Sequence, residues 1–171
     1  ERMRSGFSII EMLVVMSILI LLTSTLVLYN RAGERQIIVL REKARLIGTI
    51  LRAKSLALNT LIEDEPACGY GVHAEEGTYF IFSDRAIDCG TSAHIYGSSS
   101  DEIVLDSEVT LDRAVLFESI GAADMLFVPP DPKVFLNGGT ALDEGALVIA
   151  TEDGTSRGTV TITNAGQISE R

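Results

Sequence analysis

The feature that most constrains this chain is a long apolar run near its N-terminus, from Phe7 to Leu28. The run has 22 residues, contains no Gly or Pro, and includes Glu11 as its one charged residue. A helix of that length is roughly 33 Å long, enough to cross the hydrocarbon core of a bilayer. Arg2 and Arg4 precede it, so the positive-inside bias predicts a single-pass protein with residues 1–6 in the cytoplasm. A carboxylate in such a segment is costly without a partner, which marks Glu11 as a functional residue.

The residues at the start of this run form a specific motif. A short basic leader ends at Gly6, Phe7 follows, and Glu11 stands at the head of the apolar helix; Ser8-Ile9-Ile10 lies between them, where Thr-Leu-Ile is commonest. The arrangement resembles the class III signal of type IV pilins and pseudopilins. The resemblance implies that a prepilin peptidase cuts after Gly6 and N-methylates Phe7, and that Glu11 pairs with the terminal amine of a neighbouring subunit during assembly. The first residue is Glu1 rather than Met, which is consistent with a leader that begins further upstream.

Two other kinds of apolar segment are weighed against this one. A secretory signal peptide has a shorter apolar core and an Ala-x-Ala-like site after it, whereas Tyr29-Asn30-Arg31-Ala32-Gly33 follows here. A plain single-pass anchor explains the hydrophobicity but gives no reason for Gly6 and Glu11. The plain anchor is therefore kept as the alternative.

Residues 29–65 continue the helical pattern but change it from apolar to amphipathic. We expect one helix from about Ser8 to Ile62, roughly 80 Å long, ended by the Pro66 region. A helical stripe is predicted to pack on the molecule's own head, or alternatively to form a seam facing neighbouring subunits. That stripe consists of Leu40, Ala44, Ile47, Leu51, Leu58 and Leu61, with Lys54 at the missed position.

Residues 66–171 change to the short periodicity and turn signals of strands. Glu75-Glu76-Gly77 is predicted to connect a hairpin, and the hairpin's aromatic residues are expected to form one buried and one partly buried face. The predicted strands are Gly69–Ala74, Thr78–Ser83, Glu102–Asp106, Val109–Asp112, Ala114–Glu118, Met125–Val128, Lys133–Leu136, Ala146–Thr151, Gly158–Thr163 and Gln167–Ser169.

The fold class that follows is α+β, with a long N-terminal helix packed on an antiparallel sheet or small sandwich. The Pro-rich turn at 129–132 and the closing segment Gly158–Ser169 are, in their layout, similar to the GspH/FimT type of minor pseudopilin. That resemblance implies a pilin-like head.

The two cysteines, Cys68 and Cys89, are expected to form a disulfide, because an even number of cysteines outside the cytoplasm is usually paired. The alternative is a zinc site, since His73 and His94 each follow a cysteine by five residues. Adjacent odd and even positions of a strand face opposite ways, which disfavours Cys68 and His73 as ligands of one ion.

Charge and motifs exclude several function classes. Residues 66–171 carry 17 acidic and five basic side chains, which disfavours binding to nucleic acid. Nucleophile and nucleotide-binding motifs are missing, and His73 is expected at a surface or sheet edge, so we expect no enzyme activity. Asp143-Glu144 and Glu152-Asp153 are the best candidates for calcium but lack EF-hand spacing, so we expect no cofactor and no metal.

Together these features predict a structural subunit of a type IV pilus or type II secretion pseudopilus, processed after Gly6. Residues 7–28 would form the membrane and filament-core helix, with the head extracytoplasmic. Expected partners are other such subunits, the prepilin peptidase, an inner-membrane assembly platform and, before assembly, membrane lipid. The subunit would start in the cytoplasmic membrane and end in a cell-surface or periplasmic filament. The alternative is an anchored extracytoplasmic binding domain that does not assemble.

Overall fold

The structure is a computed structural model that describes residues 8–60, 67–97, 99–130, 133–139 and 142–170, with only the backbone described for residues 27–32. The described residues form one α-helix and ten strands. These are α1 (Ile9–Asn59), β1 (Gly69–Glu75), β2 (Thr78–Asp84), β3 (Asp101–Ile103), β4 (Val109–Thr110), β5 (Val115–Ile120), β6 (Asp124–Val128), β7 (Lys133–Leu136), β8 (Glu144–Thr151), β9 (Arg157–Thr163) and β10 (Ile168–Glu170).

The helix α1 is continuous over 51 residues, so it is about 77 Å long. It has no Pro, and Gly33 and Gly48 are accommodated within it with open space around them. Its first turn follows Ser8, which is extended, and its last turn is followed by Thr60. The Thr60 hydroxyl accepts a hydrogen bond from the Ala67 N–H at 3.1 Å, which ties the end of the helix to the start of the head.

The head contains two antiparallel sheets. In the first, the strand order is β3-β2-β1-β6-β7, and β4 also pairs with β2. In the second, the order is β10-β9-β8-β5. The Val134 N–H of β7 donates to the carbonyl of Asn164, which follows β9, at 3.1 Å, and this bond links the two sheets. The expected α+β fold, a long helix packed against antiparallel sheets, is confirmed.

The main core lies where the C-terminal half of α1 packs on both sheets. The helix contributes a stripe at steps of seven, four, three and four residues that is almost completely buried. We call this stripe the core stripe; it consists of Val39, Leu46, Ile50, Ala53 and Ala57. The sheets contribute buried side chains from seven of their strands, among them Tyr79, Met125, Leu147 and Ile162.

The predicted packing stripe on α1 was wrong. Leu40, Leu51 and Leu58 are 56%, 51% and 45% exposed, Ala44 is exposed, and Ile47 is half-buried; Leu61 lies outside the described residues. The core stripe is rotated by about one residue, or roughly 100°, from the predicted one. The small side chains of Ala53 and Ala57 let the helix approach the sheets closely, whereas the leucines would hold it away.

The central strands of the first sheet, β2, β1 and β6, are largely buried on both faces, which corrects the expectation of one partly buried face for the hairpin. Phe80, Phe82 and Leu126 form a second cluster on the face opposite the main core. Tyr96, from the segment after β2, packs against this cluster, and its ring centroid lies 4.9 Å from that of Phe80. A loop therefore covers the face that was expected to be only partly buried.

All ten predicted strands are present, with changes at their ends. The hairpin turn has two residues, because Glu75 pairs with Thr78 and Gly77 has φ 79°. The expected strand Glu102–Asp106 ends at Ile103, since Leu105 and Asp106 turn and Asp106 has φ 56°. The expected strand Val109–Asp112 ends at Thr110. Two residues later, the Asp112 carboxylate accepts a hydrogen bond from the Ala114 N–H.

Candidate functional site

The first candidate site is the apolar half of α1 with its carboxylate. Glu11 lies exposed in the first helical turn, where the free N–H groups of a helix favour negative charge. The large apolar side chains from Ile9 to Leu26 are all exposed. Gly6 and Phe7, the predicted cleavage and methylation residues, lie outside the described residues.

The hydroxyl groups of this segment do not interrupt its apolar surface. Ser17 and Thr23 donate back to the carbonyls of Leu13 and Leu19, at 2.7 and 2.8 Å. Bonds of this kind satisfy hydroxyl groups within the helix itself, as a helix in lipid requires. The 18 residues Ile9–Leu26 have a mean hydropathy of 2.4, which makes the helix long and apolar enough to span a membrane.

The second candidate site is the loop that follows β2. A disulfide joins Cys68 and Cys89, as predicted, with their Cα atoms 5.2 Å apart. Because both sulfur atoms are in this bond, they do not supply the thiolates that the alternative zinc site requires. The Cys68–Cys89 bond anchors the loop next to the second cluster of the first sheet.

A histidine–aspartate pair also fastens this loop, and the sequence did not reveal it. His73 lies in β1, the central strand between β2 and β6, so the expectation of a surface or edge position was wrong. Its Nδ1 lies 2.8 Å from Oδ1 of Asp124, and the same oxygen accepts a hydrogen bond from the Tyr96 N–H at 3.0 Å. Nothing in the residues next to Asp124 in the sequence indicates that its carboxylate lies beside His73. The sequence therefore did not mark Asp124 as a partner of this histidine.

Asp84, the last residue of β2, comes together with Ser92 and His94 of the same loop, but not as a catalytic triad. The Ser92 hydroxyl donates to Asp84 Oδ2, and His94 Nδ1 lies 3.5 Å from that same oxygen. A nucleophilic serine needs its hydroxyl on the histidine that removes its proton. Here the serine and the histidine both face the carboxylate, so the arrangement is suited to holding the loop.

The two acidic pairs considered for calcium lie at strand ends. Both carboxylate oxygens of Asp153 have partners within the protein. Oδ1 accepts hydrogen bonds from the hydroxyl groups of Thr151 and Thr155, and Oδ2 forms an ion pair with Arg35 of the helix. Asp143 and Glu144 flank the start of β8. Among the described residues, no group of three or more His, Cys, Asp or Glu side chains is placed to hold a metal ion.

The third candidate site consists of two concavities along one flank of α1. One lies between Leu40 and Lys43 on the helix and residues 155–158, at the start of β9. The other lies between Ile47, Leu51 and Lys54 on the helix and residues 166–170, which include the edge strand β10.

The chain was compared with protein-family models, with curated proteins and with solved structures, and no match was found in any of the three.

Proposed function

We propose that this chain is a structural subunit of a type IV pilus or type II secretion pseudopilus, most similar in layout to a minor subunit. The observation that carries the proposal is Glu11 in the first turn of an otherwise apolar, exposed helix that directly follows Gly6 and Phe7. In this proposal the peptidase cuts after Gly6 and methylates Phe7. Glu11 is then neutralised by the terminal amine of a neighbouring subunit.

The form of the rest of the molecule suits that role. The helix continues without a break from its apolar half into the core of the head, so a pull on the apolar segment is transmitted directly to the head. The disulfide, the His73–Asp124 pair and the two buried faces of the first sheet give the head a fixed shape. The proposal requires no cofactor and no nucleic acid, and it places the head outside the cytoplasmic membrane.

The test is intact mass and N-terminal sequencing of the full chain expressed with and without a prepilin peptidase. The proposal predicts a mature chain that begins at N-methylated Phe7, and no cutting in Gly6→Ala. In addition, Glu11→Ala should be cut normally but fail to enter the sheared filament fraction, since it lacks the carboxylate that selects a neighbour.

The second candidate is a membrane-anchored domain that does not assemble. It is favoured by the fact that an apolar helix of this length is sufficient by itself for anchoring. A chain that stays uncut with the peptidase present, and is unaffected by Glu11→Ala, would establish it in place of the subunit.

A further inference from the structure

The two residues of the Cys68–Cys89 disulfide lie in different surroundings. Cys68 is only 4% exposed. Its N–H donates to the Asp84 carbonyl at 2.7 Å, and the Ala86 carbonyl oxygen lies 3.3 Å from its Sγ, so the end of β2 and the residues after it cover this sulfur. Cys89, in contrast, is exposed. The disulfide therefore presents only one of its two ends to solvent.

The turn that carries Cys89 is joined to the sheet by the disulfide rather than by hydrogen bonds. The Asp88 carbonyl accepts a hydrogen bond from the Thr91 N–H at 3.1 Å, and the Asp88 carboxylate accepts one from the Gly90 N–H at 3.0 Å. Among the described residues, 87–91 form no hydrogen bond outside this turn. A large group attached to Cys89 would therefore break no hydrogen bond between the turn and the sheet.

The residues that lead into Cys89 include the most exposed large apolar side chain in the described part of the chain. This side chain is Ile87, which is fully exposed, whereas Leu105 follows at 84%. Residues 85–89 belong to no helix or strand, and within the described residues the backbone groups of Ile87 and Cys89 form no hydrogen bond. A segment of this kind offers a protein partner free backbone groups together with an apolar anchor.

The charges around Cys89 disfavour a small anionic thiol such as glutathione. Asp88 is the adjacent residue, and residues 66–171 carry 17 acidic and five basic side chains. Arg85, the basic residue of this segment, is paired with Glu102 at 3.1 Å. Because like charges repel, an anionic thiol approaches this surface less readily. A protein thiol with an apolar surface beside it gains contact with Ile87 instead.

We propose that Cys89 is the exchange site of this disulfide, and that its partner is a thiol–disulfide oxidoreductase of the C-x-x-C class that docks on Ile87. The thiolate of the partner attacks Sγ of Cys89, and a mixed disulfide forms between them. The Cys68–Cys89 bond breaks in the same step, and Cys68 leaves as a thiolate that takes a proton from water. One disulfide replaces another, so the step requires no further oxidant or reductant.

The reverse reaction gives Cys68 its role. Its thiolate attacks Sγ of Cys89 in the mixed disulfide, restores the native bond and releases the partner's thiolate. Cys68 is therefore the resolving thiol and Cys89 the residue that meets the partner. This inference goes beyond the proposed function, since it applies equally to a subunit that assembles and to an anchored domain that does not.

The test uses the native full chain in mild detergent, with its disulfide intact. The probe is a reduced C-x-x-C oxidoreductase whose second cysteine is replaced by alanine, so that the enzyme cannot resolve the mixed disulfide. After acid quenching and blocking of free thiols, peptide mass spectrometry locates the mixed disulfide. We expect at least ten times more of it on Cys89 than on Cys68, and no such preference in urea, where both residues are exposed. Equal amounts in the folded chain, an excess on Cys68, or no mixed disulfide at all would overturn the proposal.

Two variants distinguish docking on Ile87 from the simple exposure of Cys89. Ile87→Ser removes the apolar anchor, so it should slow the reaction with the oxidoreductase several-fold and leave the rate with glutathione unchanged. Leu105→Ser is the matched control, because Leu105 is exposed but lies outside residues 85–89; it should change neither rate. An Ile87→Ser variant that reacts as fast as the native chain, or is slowed equally with both thiols, would overturn Ile87 as the docking residue.

Discussion

Glu42 is a charged residue on the side of α1 that packs on the head, and only 1% of its surface is exposed. Its Oε1 pairs with Arg41 at 3.2 Å and its Oε2 lies 4.0 Å from Arg45. The side chains of these two arginines are more than half exposed. The buried Glu42 carboxylate is therefore paired with cations that remain in contact with solvent. Tyr79, from β2, lies in the same core, and burial raises the pKa of its hydroxyl to about 12. The nearby Arg45 opposes that rise and Glu42 adds to it.

This pKa predicts how the stability of the head changes in alkali. A tyrosine whose folded pKa is about 12 and whose ordinary pKa is 10.0 stabilises the fold below pH 10, and that stabilisation is lost as the pH rises toward 12. A shift of this size corresponds to at most roughly 2–3 kcal/mol. Urea unfolding of the full chain in mild detergent should show stability falling over that window. In Tyr79→Phe the fall should be smaller, and an identical fall in both proteins would contradict the assignment.

Gly71 is fixed by the close approach of its neighbours. A Cβ on Gly71 would lie 2.7 Å from the Phe82 ring and 2.8 Å from the Met125 carbonyl oxygen. We therefore expect Gly71→Ala to lower the free energy of unfolding by roughly 1–3 kcal/mol, as overpacking does. Gly48→Ala is the matched control, because that glycine is helical with open space around it, and it should stabilise by roughly 0.5–1 kcal/mol. Thermal unfolding of both variants measures the contrast, and a neutral Gly71→Ala would show that the sheet can shift.

At the scale of elements, the loop that follows β2 is held by the Cys68–Cys89 disulfide and by the carboxylates of Asp84 and Asp124. The bond closes a loop with a sequence separation of 21 residues. Removing a cross-link of that span costs about 3 kcal/mol in the chain-entropy model. Reduction should therefore lower the urea midpoint of the full chain and expose residues 85–97 to protease. The Cys68→Ser/Cys89→Ser variant should already have the lower midpoint and should not respond to reductant.

The orientation of α1 gives a second test at this scale. Leu46 in the core stripe is fully buried, whereas Leu51, which belongs to the stripe predicted from the sequence, is 51% exposed. Leu46→Ala should cost roughly 2–5 kcal/mol of unfolding free energy. The same change at Leu51 should stay within about 0.5 kcal/mol in the monomer. If the two costs were reversed, the helix would pack on the head by the stripe that the sequence alone suggested.

For the molecule as a whole, the apolar half of α1 is predicted to decide where the protein resides. Leu19→Arg places a charge near the middle of Ile9–Leu26, where it opposes insertion by roughly 2.5–3.5 kcal/mol. This variant should move from the carbonate-resistant membrane fraction toward the soluble fraction. Ile37→Arg, at an exposed position of the same helix beyond the segment, should remain in the membrane fraction. Equal partitioning of the two variants would show that Ile9–Leu26 is not the anchor.

The sequence alone determined the elements of this protein and their order. Apolar continuity predicted the helix, while alternation bounded by Gly, Pro and Asn predicted all ten strands to within a few residues, because these signals act through neighbouring residues. The Cys68–Cys89 bond was also predicted, since two cysteines allow only one pair.

Only the tertiary structure decided which faces are buried. Both apolar stripes on α1 have helical spacing, so the local pattern does not distinguish the one that meets the sheets. The charged Glu42 lies on the same side of the helix as the core stripe, so that side does not look apolar in the sequence. The small side chains of Ala53 and Ala57 let the helix approach the sheets most closely on this side. His73 and Asp124 are 51 residues apart in sequence and meet through the pairing of β1 with β6. Contacts of this kind depend on long-range packing, which no local signal in the sequence records.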